Sequence, residues 1–202
     1  MNLQLDAVEA RILGSLIEKS YLTPDQYPLS FNALLNACNQ KTSREPVMEL
    51  DTDAMGRGLE RLRQEGLVEQ KLGSRVPKFA HAAARLGAGD TAEILGLLCM
   101  LLLRGAQTAA ELRVRTERMS HFAATGEVEA ELQKLAEHPD GPFVAKLARG
   151  RYQHLFCGAP SEAAAPIIAP GPDKLAQLEA RVAALETLCK ELQDRLAKPA
   201  SA

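Results

Sequence analysis

The same succession of predicted elements occurs twice in the chain, and this repeat constrains the fold more than any other feature. Two helical patterns share the letters "ILG": "ARILGSLIEK" around Ile12 and "AEILGLLCML" around Ile94. Apolar residues at spacings of three and four are typical of amphipathic helices. A shorter helix follows each of them, with Ser30 before "FNALLNACN" and Thr108 before "AAELRVRT" as hydroxyl N-caps. The pattern predicts two copies of one unit.

A third helix and two short β-like runs complete each copy. The third helices are predicted in "TDAMGRGLERLRQEGLVEQ" and "GEVEAELQKLAEH". The runs "LVEQKLGSRVPKFAH" and "FVAKLARGRYQHLF" turn at Gly73-Ser74 and at Gly150. Three helices followed by a β-hairpin is the order of a winged helix, a variant of helix-turn-helix. We therefore predict an α+β, mostly helical fold with tandem winged-helix domains; the alternative is an α+β domain without a true repeat.

The repeat and the composition set the predicted boundaries. Winged-helix domain 1 covers residues 1–85, domain 2 covers 86–158, and a Pro- and Ala-rich linker covers 159–172. Residues 173–198 follow with apolar side chains at alternating spacings of three and four, which is an a/d heptad pattern. This pattern predicts a C-terminal coiled-coil helix that forms a homo-oligomer. The alternative is that this helix docks on its own body.

The segment "TPDQYPLSFNALLNACNQKTSREPVMEL" (residues 23–50) makes the first copy nine residues longer than the second. Phe31, Leu34, Leu35 and Cys38 have the spacing of a core-facing helix side. Cys38 is therefore predicted to be a core residue and not a nucleophile, since no histidine stands near it in the sequence to activate it.

Polar donors crowd the end of this segment. Asn39, Lys41 and Arg44 are residue types that contact phosphate oxygens or base edges, and we predict a binding surface there. In the alternative, the asparagines tie down the added loops, the dipole of the second helix favours Lys41 at its C-terminal end, and Arg44 pairs with Glu45 or Glu49.

Three stretches resemble the uncharacterised YceH-like bacterial protein family: residues 23–50, "LLLRGAQTAAELRVRTERM" and "RYQHLFCG". The resemblance covers most of the chain, and the first stretch is long enough to be specific. It implies a tandem winged-helix fold. It implies no activity, and no catalytic residues can be carried over to this sequence.

DNA is the preferred predicted partner. In a winged helix the third helix enters the major groove and the wing contacts the DNA backbone. The candidate contacts are Arg57 and Arg61 on the third helix, with Lys71, Arg75 and Lys78 on the wing. Because the formal net charge is -2, binding must come from a local patch. The alternative is a protein-interaction scaffold without DNA contact, which the acidic third helix of the second copy favours.

Other classes of function find less support in the sequence. No base–nucleophile pair, phosphate-binding loop or metal-ligand spacing is present, so we expect neither an enzyme nor a cofactor or metal site. The most apolar run, "ILGLLCMLLL", is about half of the 20 or so residues that a bilayer span needs. We expect no membrane association. The scattered cysteines and the missing signal peptide predict a cytoplasmic protein.

Overall fold

The computed structural model describes residues 4–71, 73 and 75–158. The N-terminal half, up to residue 86, contains the following elements in order: α1 (Ala7–Leu22), β1 (Leu29–Ser30), α2 (Phe31–Cys38), α3 (Thr52–Gln64), β2 (Val68–Lys71) and β3 (Lys78–His81). The C-terminal half, residues 87–158, repeats this order: α4 (Ala92–Arg104), β4 (Gln107–Thr108), α5 (Ala109–Thr116), α6 (Thr125–Ala136), β5 (Val144–Lys146) and β6 (Arg151–His154). The fold is mixed α+β, which confirms the coarser part of the prediction.

Each half has one small antiparallel sheet of three strands, in the orders β1-β3-β2 and β4-β6-β5. In the first sheet β3 pairs with both neighbours, so that Phe79 lies opposite Leu29 on one side and Gln70 on the other. The hairpins agree with the predicted β-like runs. The sequence does not predict β1 and β4, because a strand of two residues is too short to show an alternating pattern.

The predicted N-caps are present. The side chains of Ser30 and Asp51 accept hydrogen bonds from the first turns of α2 and α3. Thr108 does the same for α5 and forms a full capping box with Glu111. These caps satisfy amides that have no partner inside the helix, and they fix where each helix begins.

The two halves share one hydrophobic core, and α1 lies at its centre. Every residue of α1 from Glu9 to Glu18 is buried, because α2, α3 and β3 pack on some sides of the helix and α4 on another. Gly14 lets α4 come close: a Cβ built there would lie 3.0 Å from Leu103 Cδ2. The Cys99 thiol reaches the Gly14 carbonyl at 3.3 Å. The described residues accordingly belong to a single compact unit.

Several predictions concern residues outside this description. The linker at 159–172 and the coiled-coil helix at 173–198 lie there, as does Ser74 in the turn of the first hairpin. The division into domains 1–85 and 86–158 stays a prediction. None of the described helices combines the length and the apolar character that crossing a bilayer requires.

Candidate nucleic-acid and partner interface

The structure places the predicted binding residues in three groups: the segment after α2, the outer face of α3, and the β2–β3 hairpin. They are, in chain order, Asn39, Lys41, Arg44, Arg57, Arg61, Lys71, Arg75 and Lys78. The second and third groups are exposed or half-buried side chains, whereas the first is divided between surface and core.

The outer face of α3 carries two arginines in different states. Arg57 is exposed and makes no hydrogen bond or ion pair within the described residues. Arg61 is 57% exposed, and its Nε lies 3.0 Å from Oε1 of Glu9, which is only 2% exposed. Glu9 Oε1 has no hydrogen-bond partner among the described residues, so this contact is an ion pair and not a hydrogen bond. Arg57 is therefore free to bind an external anion, whereas Arg61 is already held at one nitrogen.

Acidic neighbours on α3 are partly neutralised. Glu60 accepts from Arg63 at 2.6 Å and from the Gln64 amide at 3.4 Å. Asp51 is occupied as the N-cap, while Asp53 is exposed in the first turn. Glu60 therefore weakens the positive field of Arg57 less than its formal charge suggests, whereas Asp53, which has no ion pair among the described residues, opposes that field.

The hairpin brings two lysines together. The register places Lys71 directly opposite Lys78, so the two side chains project from the same face of the sheet. Lys71 Nζ lies 2.6 Å from Glu69 Oε2, and this carboxylate also pairs with Arg85 at 3.5 Å. Arg75 is exposed beyond the strand ends, without an ion pair among the described residues. The hairpin thus has three cations, Lys71, Arg75 and Lys78, against the one carboxylate of Glu69, so its outer end has a net positive charge.

Arg44 contradicts the expectation that the donors after α2 are exposed. Its side chain is buried, and its Nη1 and Nη2 donate to the two oxygens of Glu18 at 3.0 and 2.6 Å. Nε donates to the Ala37 carbonyl at 3.1 Å, and Nη2 also reaches Gln40 Oε1 at 3.1 Å. Burial alone would raise the pKa of Glu18, but the hydrogen bonds and charge of Arg44 outweigh it and lower that pKa. Arg44 is a core residue because its charge and its donors are satisfied inside the fold.

The other donors of this segment differ from one another. The Asn39 amide donates to the Leu50 carbonyl at 2.9 Å and accepts from the Leu50 amide at 2.8 Å, so it closes the loop between α2 and α3. This confirms the alternative of a tie for Asn39. Lys41 is exposed and makes no hydrogen bond or ion pair within the described part of the chain. Of the three predicted residues here, Lys41 is the one fully available to a ligand.

A second buried arginine, which the sequence analysis did not single out, completes this network. Arg11 donates to the carbonyls of Cys38 and Pro46 at 3.2 and 2.5 Å. The Glu45 amide donates to the Leu103 carbonyl at 2.9 Å, so the loop also reaches α4. The added segment therefore fastens α1, α2 and α4 together.

The sequence of the chain matches a known protein family. The family described as "Protein of unknown function, DUF480" matches residues 5–153. The chain belongs to the DUF480 family. The match spans the elements from α1 into β6, so both halves of the repeat lie within the region that defines this family.

Relatives of this DUF480 member match it along almost their whole length. A "UPF0502 protein" of Saccharophagus degradans is 42% identical and covers 97% of each chain. One from Vibrio campbellii is 46% identical over 91% of this chain and 92% of its own. "UPF0502 protein YceH" of Escherichia fergusonii is 43% identical, over 97% and 96%. The resemblance to YceH-like proteins is thereby confirmed.

The remaining arginines of this DUF480 chain's C-terminal half are largely occupied by the fold. Arg113 Nε donates to the Phe122 carbonyl at 3.0 Å, and Arg115 donates to Gln107 Oε1 at 2.5 Å. Arg118 is exposed. Of these three arginines before α6, Arg118 is therefore the one whose side chain is fully exposed.

The buried polar residues of α1 had a sequence signal. Arg11, Ser15 and Glu18 stand at i, i+4 and i+7, which places three polar side chains on one side of an otherwise apolar helix. Such a stripe on a helix buried on all sides predicts polar partners across the interface. Cys38, in contrast, is a core residue as predicted: it is 0% exposed, and burial raises the pKa of its thiol to about 11.

Proposed function

We propose that this protein is a non-enzymatic DNA-binding protein in which each half is a winged helix and the N-terminal half contacts DNA. In this arrangement α3 lies in the major groove, and the β2–β3 hairpin is the wing that contacts the phosphate backbone. Arg57 and Arg61 on α3, with Lys71, Arg75 and Lys78 on the hairpin, are the proposed contacts. The order of elements and the sheet order β1-β3-β2 support the winged-helix interpretation.

The observation that carries the proposal is the pairing of Lys71 with Lys78 in the hairpin. Like charges directly opposite each other in an antiparallel pair are destabilising. Within the described residues Glu69 offsets the charge of Lys71, but no acidic partner offsets that of Lys78. A polyanion that lies against the hairpin would turn the repulsion into attraction. Arg75 lies at the same end of the hairpin, and Arg57 provides an unpaired cation on α3.

Salt dependence of binding tests this proposal. Each neutralised phosphate releases counterions, so the logarithm of the binding constant falls with the logarithm of salt concentration with a slope of about -0.9 per contact. Fluorescence anisotropy with labelled duplexes of random sequence should show a steep slope for the wild type. Lys71→Ala with Lys78→Ala should flatten it by about two contacts.

A matched double variant controls for the loss of two charges. Lys134→Ala with Arg149→Ala removes two exposed cations from the C-terminal half, and its slope should equal that of the wild type. A wild-type slope near zero, or an equal effect of both double variants, would exclude the hairpin as a DNA contact.

A protein-interaction scaffold is the second candidate, and α6 supports it. Glu127, Glu129 and Glu137 are exposed on or beside this helix, and its Lys134 is paired with Glu131 at 2.8 Å. A DNA backbone would be repelled by this surface, whereas a basic protein surface would not. Recovery of the same partner proteins from lysate with and without nuclease would support the scaffold. In either role we place the protein in the cytoplasm, where its free thiols stay reduced.

A further inference from the structure

Gly56 lies within α3, in a place where the fold does not call for glycine. A Cβ built on Gly56 would meet no described atom within 4 Å, and its φ is not in the left-handed region. Glycine is the poorest helix former after proline, so Gly56 weakens α3. It does so without making room for any neighbour among the described residues. The described fold therefore gives no reason for a missing side chain at this position, and a reason must be sought in a bound partner.

The neighbouring glycine shows the contrast. A Cβ at Gly58 would lie 3.0 Å from Ile12 Cδ1 and 3.1 Å from Val8 Cγ1, so Gly58 lets α3 pack closely on α1. Gly56 and Gly58 are two positions apart on the helix, so they face different directions. Gly58 lets α3 pack on α1, whereas Gly56 lies on the side of α3 that faces away from α1.

A second observation identifies what approaches that side. Arg57 follows Gly56 directly and is an exposed guanidinium without an ion pair in the described residues. The Lys71–Lys78 pair and Arg75 belong to the hairpin of the same half. The bare backbone of Gly56 and the cations of α3 and the hairpin thus occur together on the surface that the proposed function assigns to DNA.

We propose that Gly56 is the point at which α3 comes closest to bound duplex DNA, so that a methyl group at this position is excluded by the groove. This inference rests on the proposed function and adds how deeply α3 lies in the groove of the DNA. Gly56 and the cations have different roles. The cations attract the DNA, whereas the missing side chain of Gly56 lets α3 come close enough for Arg57 to reach base edges.

The test is a substitution with opposite effects on stability and on binding. Gly56→Ala should raise the urea midpoint, because alanine favours the helix and meets no neighbour. The same variant should bind short random-sequence duplexes roughly tenfold more weakly, since the methyl group is a steric clash present only in the complex. Its salt slope should equal that of the wild type, because no phosphate contact is removed.

Gly126→Ala is the matched control. Gly126 lies in the first turn of α6, and its Cβ would also meet nothing within 4 Å among the described residues. This variant should not lose stability, and its DNA affinity should be that of the wild type.

The outcomes separate the inference from the function. If the wild type binds DNA and Gly56→Ala binds equally well, the close approach is wrong and the proposed function stands. A lower urea midpoint for Gly56→Ala would also overturn the inference, because the fold itself would then require glycine. If the wild type binds no duplex at any salt concentration, both fail.

Discussion

Arg44 illustrates how a cation in a polar loop can belong to the core. A guanidinium is planar and has five donors, so it can satisfy a carboxylate with two nitrogens and a carbonyl with a third. Glu18 and Ala37 offer these acceptors from α1 and α2. Breaking one partner of such a buried pair leaves the other charge desolvated and unpaired, which is far more costly than losing a surface pair.

Arg44→Ala should therefore destabilise the protein strongly. We expect the free energy of unfolding to fall by about 3–5 kcal/mol, because the Glu18 carboxylate would stay buried without its partner. Urea denaturation measures this change. Lys41→Ala, three residues earlier and exposed, is the control and should stay within about 0.5 kcal/mol of the wild type. Equal stabilities of the two variants would contradict the buried pair.

His154 should make stability depend on pH. It is 6% exposed in β6, and burial lowers its pKa from 6.5 to about 4. Below about pH 6.5 the unfolded chain binds this proton and the folded chain does not, so stability falls from there to about pH 4 and then levels off. Between pH 6.5 and 5 the loss is on the order of 2 kcal/mol.

Replacing this histidine isolates its contribution. We expect the difference in urea-derived stability between pH 7 and pH 5 to be smaller in His154→Phe than in the wild type. The half-buried His81 also has a pKa lowered by partial burial, so a residual pH dependence is expected in the variant. An unchanged difference in His154→Phe would mean that His154 is not the titrating group.

Among the elements, those with a periodic or capping signal could be predicted, and those defined by tertiary contacts could not. The six helices follow from apolar spacing and from caps such as Asp51 and Thr108. The strand β1 forms because β3 offers it an edge, and two residues cannot show this in the sequence.

At the candidate site, the sequence shows Lys71 and Lys78 as cations, but only the hairpin register places them opposite each other. Arg44 was misplaced because Glu18, its partner, is distant in the sequence.

The crossing of α1 and α4 depends on Gly14. A side chain there would meet Leu103 Cδ2 at 3.0 Å and Leu102 Cβ at 3.1 Å, so Gly14→Val should push the two helices apart. Overpacking of this kind costs about 1–3 kcal/mol, and urea denaturation would measure it. Gly126→Val serves as control, because a Cβ at Gly126 would meet no described atom within 4 Å. If both variants lose the same stability, helix propensity and not packing is the cause.

At the scale of the whole molecule, α1 makes the described halves interdependent. The helix contributes Leu13, Leu16 and Ile17 to a core that also contains residues of α4. The loop after α2 adds the hydrogen bond from Glu45 to Leu103. A cooperative unit of this kind should unfold in one transition, and a variant that loosens α1 should destabilise both sheets together.

The C-terminal heptad pattern leads to a prediction about assembly, although residues 173–198 lie outside the described structure. Leu175, Leu178, Val182 and Leu185 begin an a/d series that predicts self-association. Leu185→Asp would place a charge at a d position, where burial without a partner costs several kcal/mol. Sedimentation velocity should therefore show a smaller species for Leu185→Asp and for a chain ending at Pro160 than for the wild type.

Thr187→Asp separates the heptad position from the added charge. Thr187 falls at an f position of the same heptad, on the side away from a partner helix, so the variant should sediment like the wild type. If Leu185→Asp and Thr187→Asp behave alike, the apolar series is not an interface between chains. If the wild type is itself monomeric, the series must pack against its own body, and Leu185→Asp should then lower the stability of the monomer instead of changing its size.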